Sequence, residues 1–102
     1  MDGTTNTGGL AITRTENATG GCYAAYIQGF EAVMTYSRPD EKTLVIHHTG
    51  VPFALRRLGI GQALVQRAVE DARAEGRTIV PVCSFVRVQM ARHADWRDVL
   101  KR

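Results

Sequence analysis

The first half of the chain alternates apolar and polar residues over short runs, which is the pattern of strands with one buried face. The runs are "LAITRTE" from Leu10, then "CYAAYI" and "FEAVMTYS". Gln28-Gly29 separates the last two runs and predicts a tight hairpin. A fourth run, "TLVIHHTGV" from Thr43, has a continuous apolar centre, which indicates burial on both faces of a sheet.

The second half of the chain changes to a helical periodicity. Between Leu55 and Gly76, apolar residues recur every three or four positions, which predicts a long amphipathic helix. "TIVPVCSF" predicts the next strand, in which Pro81 cannot donate a ladder hydrogen bond and should interrupt the pairing. A second helix is expected from Phe85 to about His93, with the preceding serine as its cap.

These elements follow the order β-β-β-β-α-β-α, which places the chain in the α+β class. The front strands predict an antiparallel meander, and the strand–helix–strand unit after them predicts a right-handed parallel crossover. We therefore expect a mixed, mostly antiparallel sheet with the long helix packed on it. Residues 1–9 are rich in threonine and glycine and are expected to form a flexible N-terminal tail, followed by a single domain over residues 10–102.

Composition and charge narrow the range of functions that the chain can have. The 102 residues are 44% hydrophobic and 23% charged, as in an ordinary globular domain. The net charge of +3 comes without a basic stripe, so nucleic-acid binding is not favoured, while an anionic small molecule would suit it. Cys22 and Cys83 form no C-x-x-C pair, so neither a disulfide framework nor a metal site is expected. No apolar run approaches the ~20 residues of a membrane span, and we expect a cytoplasmic protein without a membrane partner.

The stretch "RRLGIG", Arg56 to Gly61, lies where a buried strand turns into the long helix. The first amides of a helix have no internal partner and carry the positive end of its dipole. Gly59 and Gly61 remove side chains that would keep a ligand from those amides. Arg56 and Arg57 add guanidinium groups whose planar forks suit phosphate oxygens. Alternatively, the glycines only let the helix pack closely on the sheet, but the two arginines favour a phosphate site.

The same six residues match the acyl-CoA signature Q/R-x-x-G-x-G/A of the GCN5-related N-acetyltransferases. The surrounding pattern "HTGVP-x-x-LRRLGIG-x-AL", then "AR-x-x-G", "VP-x-C-x-FV" and "RH", resembles the small single-domain, YjdJ-like branch of that superfamily. This resemblance covers His48 to about Val99 closely and the front strands more loosely. It implies a GNAT-like α+β fold and a site for acetyl-CoA.

The resemblance also implies where acetyl-CoA would bind. Backbone groups around Val51 would hold the pantetheine arm, and the amides of Arg57 to Gln62 would hold the diphosphate. The strand that carries Cys83 would splay from the strand that ends at Val51, which opens a slot for the thioester. The residues assigned to the cofactor are Val51, Arg56, Arg57, Leu58, Gly59, Ile60, Gly61, Gln62 and Phe85.

Two residues are candidates for the chemistry of acetyl transfer, which needs a neutral amine and a proton for the leaving thiolate. Cys83 would act as a nucleophile or an acid near the thioester, or it is a small buried hydrophobe. His48 would accept the amine proton, or it ties the strand end to its neighbour. Alternation places His47 on the opposite face as a surface residue. His93 lies in a C-terminal segment for which we expect a docking role.

The leading hypothesis is therefore an acetyl-CoA-dependent N-acetyltransferase that acts on an amine of unknown identity. Larger members of the superfamily carry a helical segment between their first two strands, where this chain has only "NATGG". The acceptor side should then be open, which suits an exposed amine on a macromolecule or a weakly selected substrate. The alternative hypothesis is a non-catalytic acyl-CoA-binding or sensing module. The oligomeric state stays open.

Overall fold

The computed structural model describes residues 4–7 and 10–101 of the chain. Its strands are β1 (Thr4–Thr7), β2 (Leu10–Glu16), β3 (Gly20–Ile27), β4 (Phe30–Asp40), β5 (Thr43–Gly50) and β6 (Thr78–Pro81). Its helices are α1 (Ile60–Glu75) and α2 (Ser84–Arg92), with short 3₁₀ helices at Phe53–Leu55 and Ala94–Val99. The predicted order β-β-β-β-α-β-α is confirmed from β2 to α2.

The six strands form one sheet in chain order, from β1 at one edge to β6 at the other. Neighbouring strands are antiparallel up to β5, and β5 and β6 are parallel, with Thr43 opposite Thr78 and Ile46 opposite Pro81. The predicted mixed, mostly antiparallel sheet is therefore confirmed. Because α1 connects the two parallel strands, its N-terminus lies just after the carboxyl end of β5.

The N-terminus differs from the expectation of a flexible tail over residues 1–9. Thr4–Thr7 form β1, which pairs antiparallel with β2, so that Thr4 lies opposite Thr13 and Thr7 opposite Leu10. Threonine is β-branched and favours strands even where no apolar alternation marks them. Residues 1–3 and 8–9 of the expected tail lie outside the described residues.

The predicted hairpin between β3 and β4 is confirmed. Gln28 and Gly29 both have positive φ, at 54° and 82°, and Ile27 pairs with Phe30 across them. Two consecutive left-handed residues match the twist of the flanking strands in a two-residue hairpin. Glycine reaches this conformation without strain, which explains its place in the turn.

The core lies between α1 and one face of the sheet. Along β4 every second side chain from Ala32 to Tyr36 is buried, whereas the side chains between them are half buried. The buried set forms one cluster with the apolar stripe of α1, which consists of Ile60, Leu64, Val65, Ala68, Val69 and Ala72. The face of the sheet opposite α1 is called the open face below.

β5 carries one residue more than β4 in the middle of their pairing. Thr35 lies opposite His48 and Tyr36 lies opposite Ile46, so His47 is the extra residue of a β-bulge. A bulge bends its strand, increases the local twist and breaks the strict alternation of side chains. This bulge decides where the histidines of β5 point.

β5 and β6 separate directly after Ile46. The amides of Val82 and Cys83 both donate to the Ile46 carbonyl, at 3.1 and 2.9 Å, and α2 then begins at Ser84, while β5 continues to Gly50. The pairing of β5 with β6 therefore ends at Pro81, which itself lies opposite Ile46, whereas the sequence predicted an interruption within a longer strand. The strand predicted as "TIVPVCSF" is shorter than expected because α2 starts earlier, with Cys83 rather than Ser84 at the N-cap position.

The C-terminal segment covers the outer edge of β6. Leu100 forms a bridge with Ile79, and the Lys101 amide donates to the Ile79 carbonyl at 2.9 Å. An uncovered edge presents free backbone groups to other chains. The segment therefore satisfies the backbone of β6 on the side away from β5.

Candidate functional site

A cavity of about 470 Å³ borders the end of β5, the start of α1 and one side of α2. β5 contributes Thr49, and α2 contributes Phe85 and Gln89. The remaining wall comes from the chain between β5 and α1 and from the first turn of the helix. The cavity thus occupies the place where β5 and β6 diverge.

The loop of residues 56–59, called the arginine loop below, has an unusual backbone. Arg57 and Gly59 both have a φ of 76°, in the left-handed region. This conformation is strained for arginine and accessible to glycine, and strained residues concentrate at binding sites. A Cβ added at Gly59 would meet no atom within 4 Å, so glycine is required there for its backbone and not for space.

The start of α1 offers backbone donors to the cavity. The first hydrogen bond of the helix joins the Ala63 amide to the Gly59 carbonyl at 3.0 Å. The amides of Ile60, Gly61 and Gln62 precede it, so they have no partner within the helix. All three residues line the cavity. Free amides together with the positive end of the helix dipole form a seat for an anion.

The two arginines of the loop add positive charge at this same end. Both are exposed, and within residues 10–101 neither forms an ion pair with a carboxylate. Arg56 contacts the Val51 carbonyl at 3.5 Å and lies over the Phe53 ring at 5.7 Å. α1 has no acidic residue in its first turn. Cations at the positive end of a dipole repel it, so an anionic ligand would relieve an unfavourable arrangement.

Gly61 serves a different purpose from Gly59. A Cβ at Gly61 would lie 2.7 Å from Cζ of Phe85 and 3.5 Å from Cγ2 of Val51. Glycine therefore lets the Phe85 ring of α2 pack against the start of α1. The close-packing alternative holds for Gly61, although the partner is a helix side chain and not the sheet.

The structure brings most of the predicted cofactor residues together. Eight of them line the cavity: Val51, Arg56, Arg57, Gly59, Ile60, Gly61, Gln62 and Phe85. Leu58 is not part of the lining, and its side chain is 57% exposed. The sequence pattern does not indicate Thr49, Leu55 or Gln89, which also line the cavity.

Cys83 lies beside the cavity without lining it. Its Sγ is 3.6 Å from Oγ1 of the lining residue Thr49, and the side chain is half buried. Burial would raise the pKa of the thiol, but the backbone amide of Val86 and the Thr49 hydroxyl outweigh burial and lower it. A lowered pKa gives more of the thiolate, which is the nucleophilic form.

Comparison with known proteins agrees with this geometry. A family model described as GCN5-related N-acetyltransferase matches residues 22–99, which is more than half of the chain. The chain belongs to this family. The match begins in β3 and ends with the 3₁₀ helix that follows α2, so it includes the arginine loop and the cavity. No curated protein matches the chain. The finer resemblance to the YjdJ-like branch stays a prediction.

Family membership supports the GNAT-like fold and suggests acetyl transfer, since acetyl-CoA is the usual donor in this family. Within residues 4–7 and 10–101, no helix has the length and apolar character needed to cross a membrane.

In this member of the N-acetyltransferase family, the side chain of His48 is not part of the cavity lining. The Cβ position of Gly50 is 3.1 Å from Nε2 of His48 and 3.7 Å from Val33, which places the imidazole on the open face. Strict alternation predicts that His48 shares the face of Ile46. The bulge at His47 breaks that alternation, so Thr49 faces the cavity instead.

His47 is exposed, as predicted, but its expected place on the face opposite His48 is wrong, because the bulge puts both histidines on the open face. Its Nε2 is 2.7 Å from Oγ of Ser37, and the side chain is exposed.

His93 lies closer to the cavity than the sequence indicates. Its Nδ1 is 2.8 Å from the carbonyl oxygen of Gln89, and its Nε2 is 3.4 Å from the side-chain amide of Gln62. The ring stacks on Trp96, with centroids 3.9 Å apart and an interplanar angle of 11°. Both glutamines line the cavity, so His93 contacts two of its lining residues from the C-terminal side of α2.

Proposed function

We propose that the chain transfers an acetyl group from acetyl-CoA to an amine. The arginine loop carries the proposal, because it holds two arginines that form no ion pair with a carboxylate within residues 10–101 at the N-terminus of α1, where both line the cavity. The diphosphate of acetyl-CoA has the charge and the oxygen acceptors that this arrangement lacks. Family membership makes acetyl-CoA the expected donor.

The residues present fit this ligand. The amides of Ile60, Gly61 and Gln62 would bind diphosphate oxygens, and the side chains of Arg56 and Arg57 would neutralise their charge. The free edge of β5 near Val51, beyond its last contact with β6, would bind the amide groups of the pantetheine arm. Acetyl-CoA supplies the activated thioester, and the chain supplies position and charge.

Cys83 is our candidate for the acyl-transfer step. Two observations support this role: the pKa of its thiol is lowered, and its Sγ contacts Thr49, which lines the cavity. The thiolate would attack the acetyl carbonyl and displace the CoA thiolate, which leaves as CoA after taking up a proton. The amine would then attack the acetyl-cysteine thioester, which forms the amide and releases the Cys83 thiolate. His48, on the open face of the same strand, would accept the amine proton from an acceptor that approaches through the open face.

A second candidate function is a non-catalytic acyl-CoA-binding or sensing module. The observation that favours it is the lining of the cavity: among residues 10–101, the titratable side chains that line it are those of Arg56 and Arg57. A lining without histidine or carboxylate offers no general base on the side of the arginine loop.

Calorimetric titration with acetyl-CoA tests both functions. We expect binding by the wild-type chain, and loss of binding when Arg56→Ala is combined with Gly59→Asp, because the change removes one cation and adds an anion at the seat. Absence of binding by the wild-type chain would overturn both candidate functions.

Mass spectrometry after incubation with labelled acetyl-CoA separates the two functions. An enzyme should release CoA steadily with an amine panel, and Cys83 should carry the label when the amine is omitted. Cys83→Ser should abolish both signals, while Cys22→Ser, a cysteine on β3, should leave them unchanged. Tight binding with neither signal would favour the sensing module.

A further inference from the structure

We propose that His93 is a positioning residue for Gln62, and that it couples anion binding at the start of α1 to the uptake of one proton. The proposal rests on the proposed function, because it takes the diphosphate of a CoA ligand as the anion. It concerns a residue outside the cavity that acts through a residue lining it.

The imidazole of His93 is held in one orientation. Its Nδ1 is 2.8 Å from the Gln89 carbonyl, which can only accept, so Nδ1 carries a hydrogen. The ring also stacks on Trp96, which is buried. Rotation of the ring would break both contacts. In the neutral imidazole, Nε2 is therefore the acceptor, and it faces Gln62.

The orientation of the Gln62 side-chain amide depends on whether Nε2 of His93 carries a proton. Its Nε2 is 3.4 Å from His93 Nε2, so the amide donates to the neutral ring. When His93 takes up a proton, two donors face each other, and Gln62 must reverse its amide so that Oε1 accepts. The amide donors then turn away from His93. An anion at the start of α1 gains these donors and a nearby cation.

The charged groups around His93 set the direction of the coupling. Arg92 precedes it on α2, and Asp95 follows it, with the Asp95 carbonyl accepting from Arg73 of α1. Arg73 itself pairs with Asp98 at 2.7 Å, so its charge is compensated. Arg92, like Arg56 and Arg57, forms no ion pair with a carboxylate within residues 10–101, so positive charge is in excess at the start of α1 and the end of α2.

A bound anion reverses that balance, because it neutralises the arginine loop and attracts the imidazolium. The stack on Trp96 tolerates the charge, since an aromatic face favours a cation. Ligand affinity and proton affinity must then rise together, because coupling between two sites is reciprocal. Imidazoles as a class change charge between pH 5 and 8, so the test spans that range.

The experiment compares the affinity for 3′-dephospho-CoA at pH 5.5 and pH 8. This ligand keeps the diphosphate but lacks the phosphate monoester that would itself titrate in this range. We expect the wild-type chain to bind about 5-fold more tightly at pH 5.5, the order expected for one added charge at short range in a partly solvated site. His93→Gln should remove this dependence.

His47→Gln is the matched control, because His47 is exposed on the open face and has no role in the proposed function. This variant should keep the wild-type pH dependence. Cys83 is present in every variant, so its ionisation cancels in the comparison. If His93→Gln shows the same ratio of affinities as the wild-type chain, His93 is only structural and the inference is wrong.

A second measurement needs no variant. Titration of the wild-type chain at pH 6.5 in two buffers of different ionisation enthalpy gives the number of protons taken up on binding. Uptake of a fraction of one proton supports the inference, and binding without uptake overturns it. Absence of binding at every pH would instead overturn the proposed function, so the two failures are distinguishable.

Discussion

The arginines near the two ends of α1 differ in whether they form ion pairs with carboxylates. At the C-terminal end, Arg14 of β2 and Arg77 bind carboxylates in an ion-pair network that we define as Arg14, Glu16, Asp71, Glu75 and Arg77. Arg14 contacts Glu75 at 2.6 Å and Glu16 at 2.7 Å, and Arg77 contacts Glu16 at 3.0 Å. At the N-terminal end, the exposed arginines of the arginine loop have no carboxylate partner within residues 10–101.

The difference separates charges that stabilise the fold from charges available to a ligand. The ion-pair network joins β2 to α1 and also holds the buried Tyr23, whose hydroxyl donates to Asp71 at 2.8 Å. Burial and the nearby Asp71 raise the pKa of Tyr23, so its hydroxyl stays protonated and acts as a donor. Within residues 10–101, the arginine loop forms no comparable ion pair. Under the proposed function, binding of the acetyl-CoA diphosphate would offset the cost of these unpaired charges in the free energy of folding.

The largest effect on stability is expected at the ion-pair network. Asp71→Ala removes the acceptor of Tyr23 and one ion pair of the nearly buried Arg67, at 3.0 Å, although Arg67 also donates to the Ile12 carbonyl. We expect a loss of about 3–5 kcal/mol in the free energy of unfolding, because the buried Tyr23 hydroxyl loses its acceptor and a largely buried ion pair is broken. Urea denaturation measures this loss. Asp98→Ala, which breaks the exposed pair with Arg73, is the control and should cost under about 1 kcal/mol.

The next effect is on ligand affinity. Arg56→Ala combined with Arg57→Ala should weaken acetyl-CoA binding by about 100-fold, since each arginine would form charge-assisted hydrogen bonds with the diphosphate. The free energy of unfolding should stay the same or rise, because two cations leave the positive end of the dipole. Calorimetry and thermal denaturation check the two statements. Arg97→Ala, an exposed arginine near the C-terminus, should change neither.

Gly59 and Gly76 make a matched pair at the two ends of the same helix. Their φ angles are 76° and 69°, and a Cβ at either position would meet no atom within 4 Å. Alanine at either site should cost roughly 1 kcal/mol of stability, because left-handed backbone is unfavourable for it. Only Gly59→Ala should also weaken acetyl-CoA binding. Equal affinities of the two variants would contradict the assignment of the seat.

The smallest expected effect is a decrease in the free energy of unfolding at acid pH. Burial would raise the pKa of Glu16, but hydrogen bonds from Arg77, Tyr36 and Arg14 outweigh it and hold the pKa at about 2. A carboxylate with a depressed pKa contributes stability above its ordinary pKa of 4.5 and loses it as the pH falls towards 2.

Denaturation curves between pH 6 and pH 2.5 measure this contribution, which we expect to be on the order of 1 kcal/mol. Glu16→Gln should flatten the pH dependence in that range. An unchanged acid dependence in the variant would assign it to other carboxylates. Acetyl-CoA affinity at pH 7 should be the same in both proteins, because Glu16 belongs to the opposite end of α1.

Local patterns predicted most of this fold, and the exceptions have physical reasons. Apolar periodicity located β2 to β6 and both helices because each element buries one face. β1 was missed because Thr4–Thr7 has no apolar alternation. The start of α2 was placed too late because the extent of β6 depends on its pairing with Ile46, which local sequence does not encode.

The residues of the candidate site also fall into two groups: those that local sequence predicts and those that depend on distant parts of the chain. The chemistry of the arginine loop is local, so its glycines and arginines could be predicted from six consecutive residues. Thr49 and Gln89 reach the cavity through the register of β5 and the placement of α2, which depend on distant parts of the chain. His48 was misplaced for this reason, because one unpaired residue on β5 reverses the expected alternation.

The bulge at His47 has a consequence for how such a chain can change. It follows Ile46 directly, and Ile46 is the last residue that β5 shares with β6. Deletion of one codon, for His47, would leave every remaining pair of β4 and β5 in register, with His48 opposite Thr35 and Ile46 opposite Tyr36. The bend that turns β5 away from β6 would be lost with that residue. Deletion of this one residue would thus keep the fold of the family and close the gap between β5 and β6 that the proposed ligand needs.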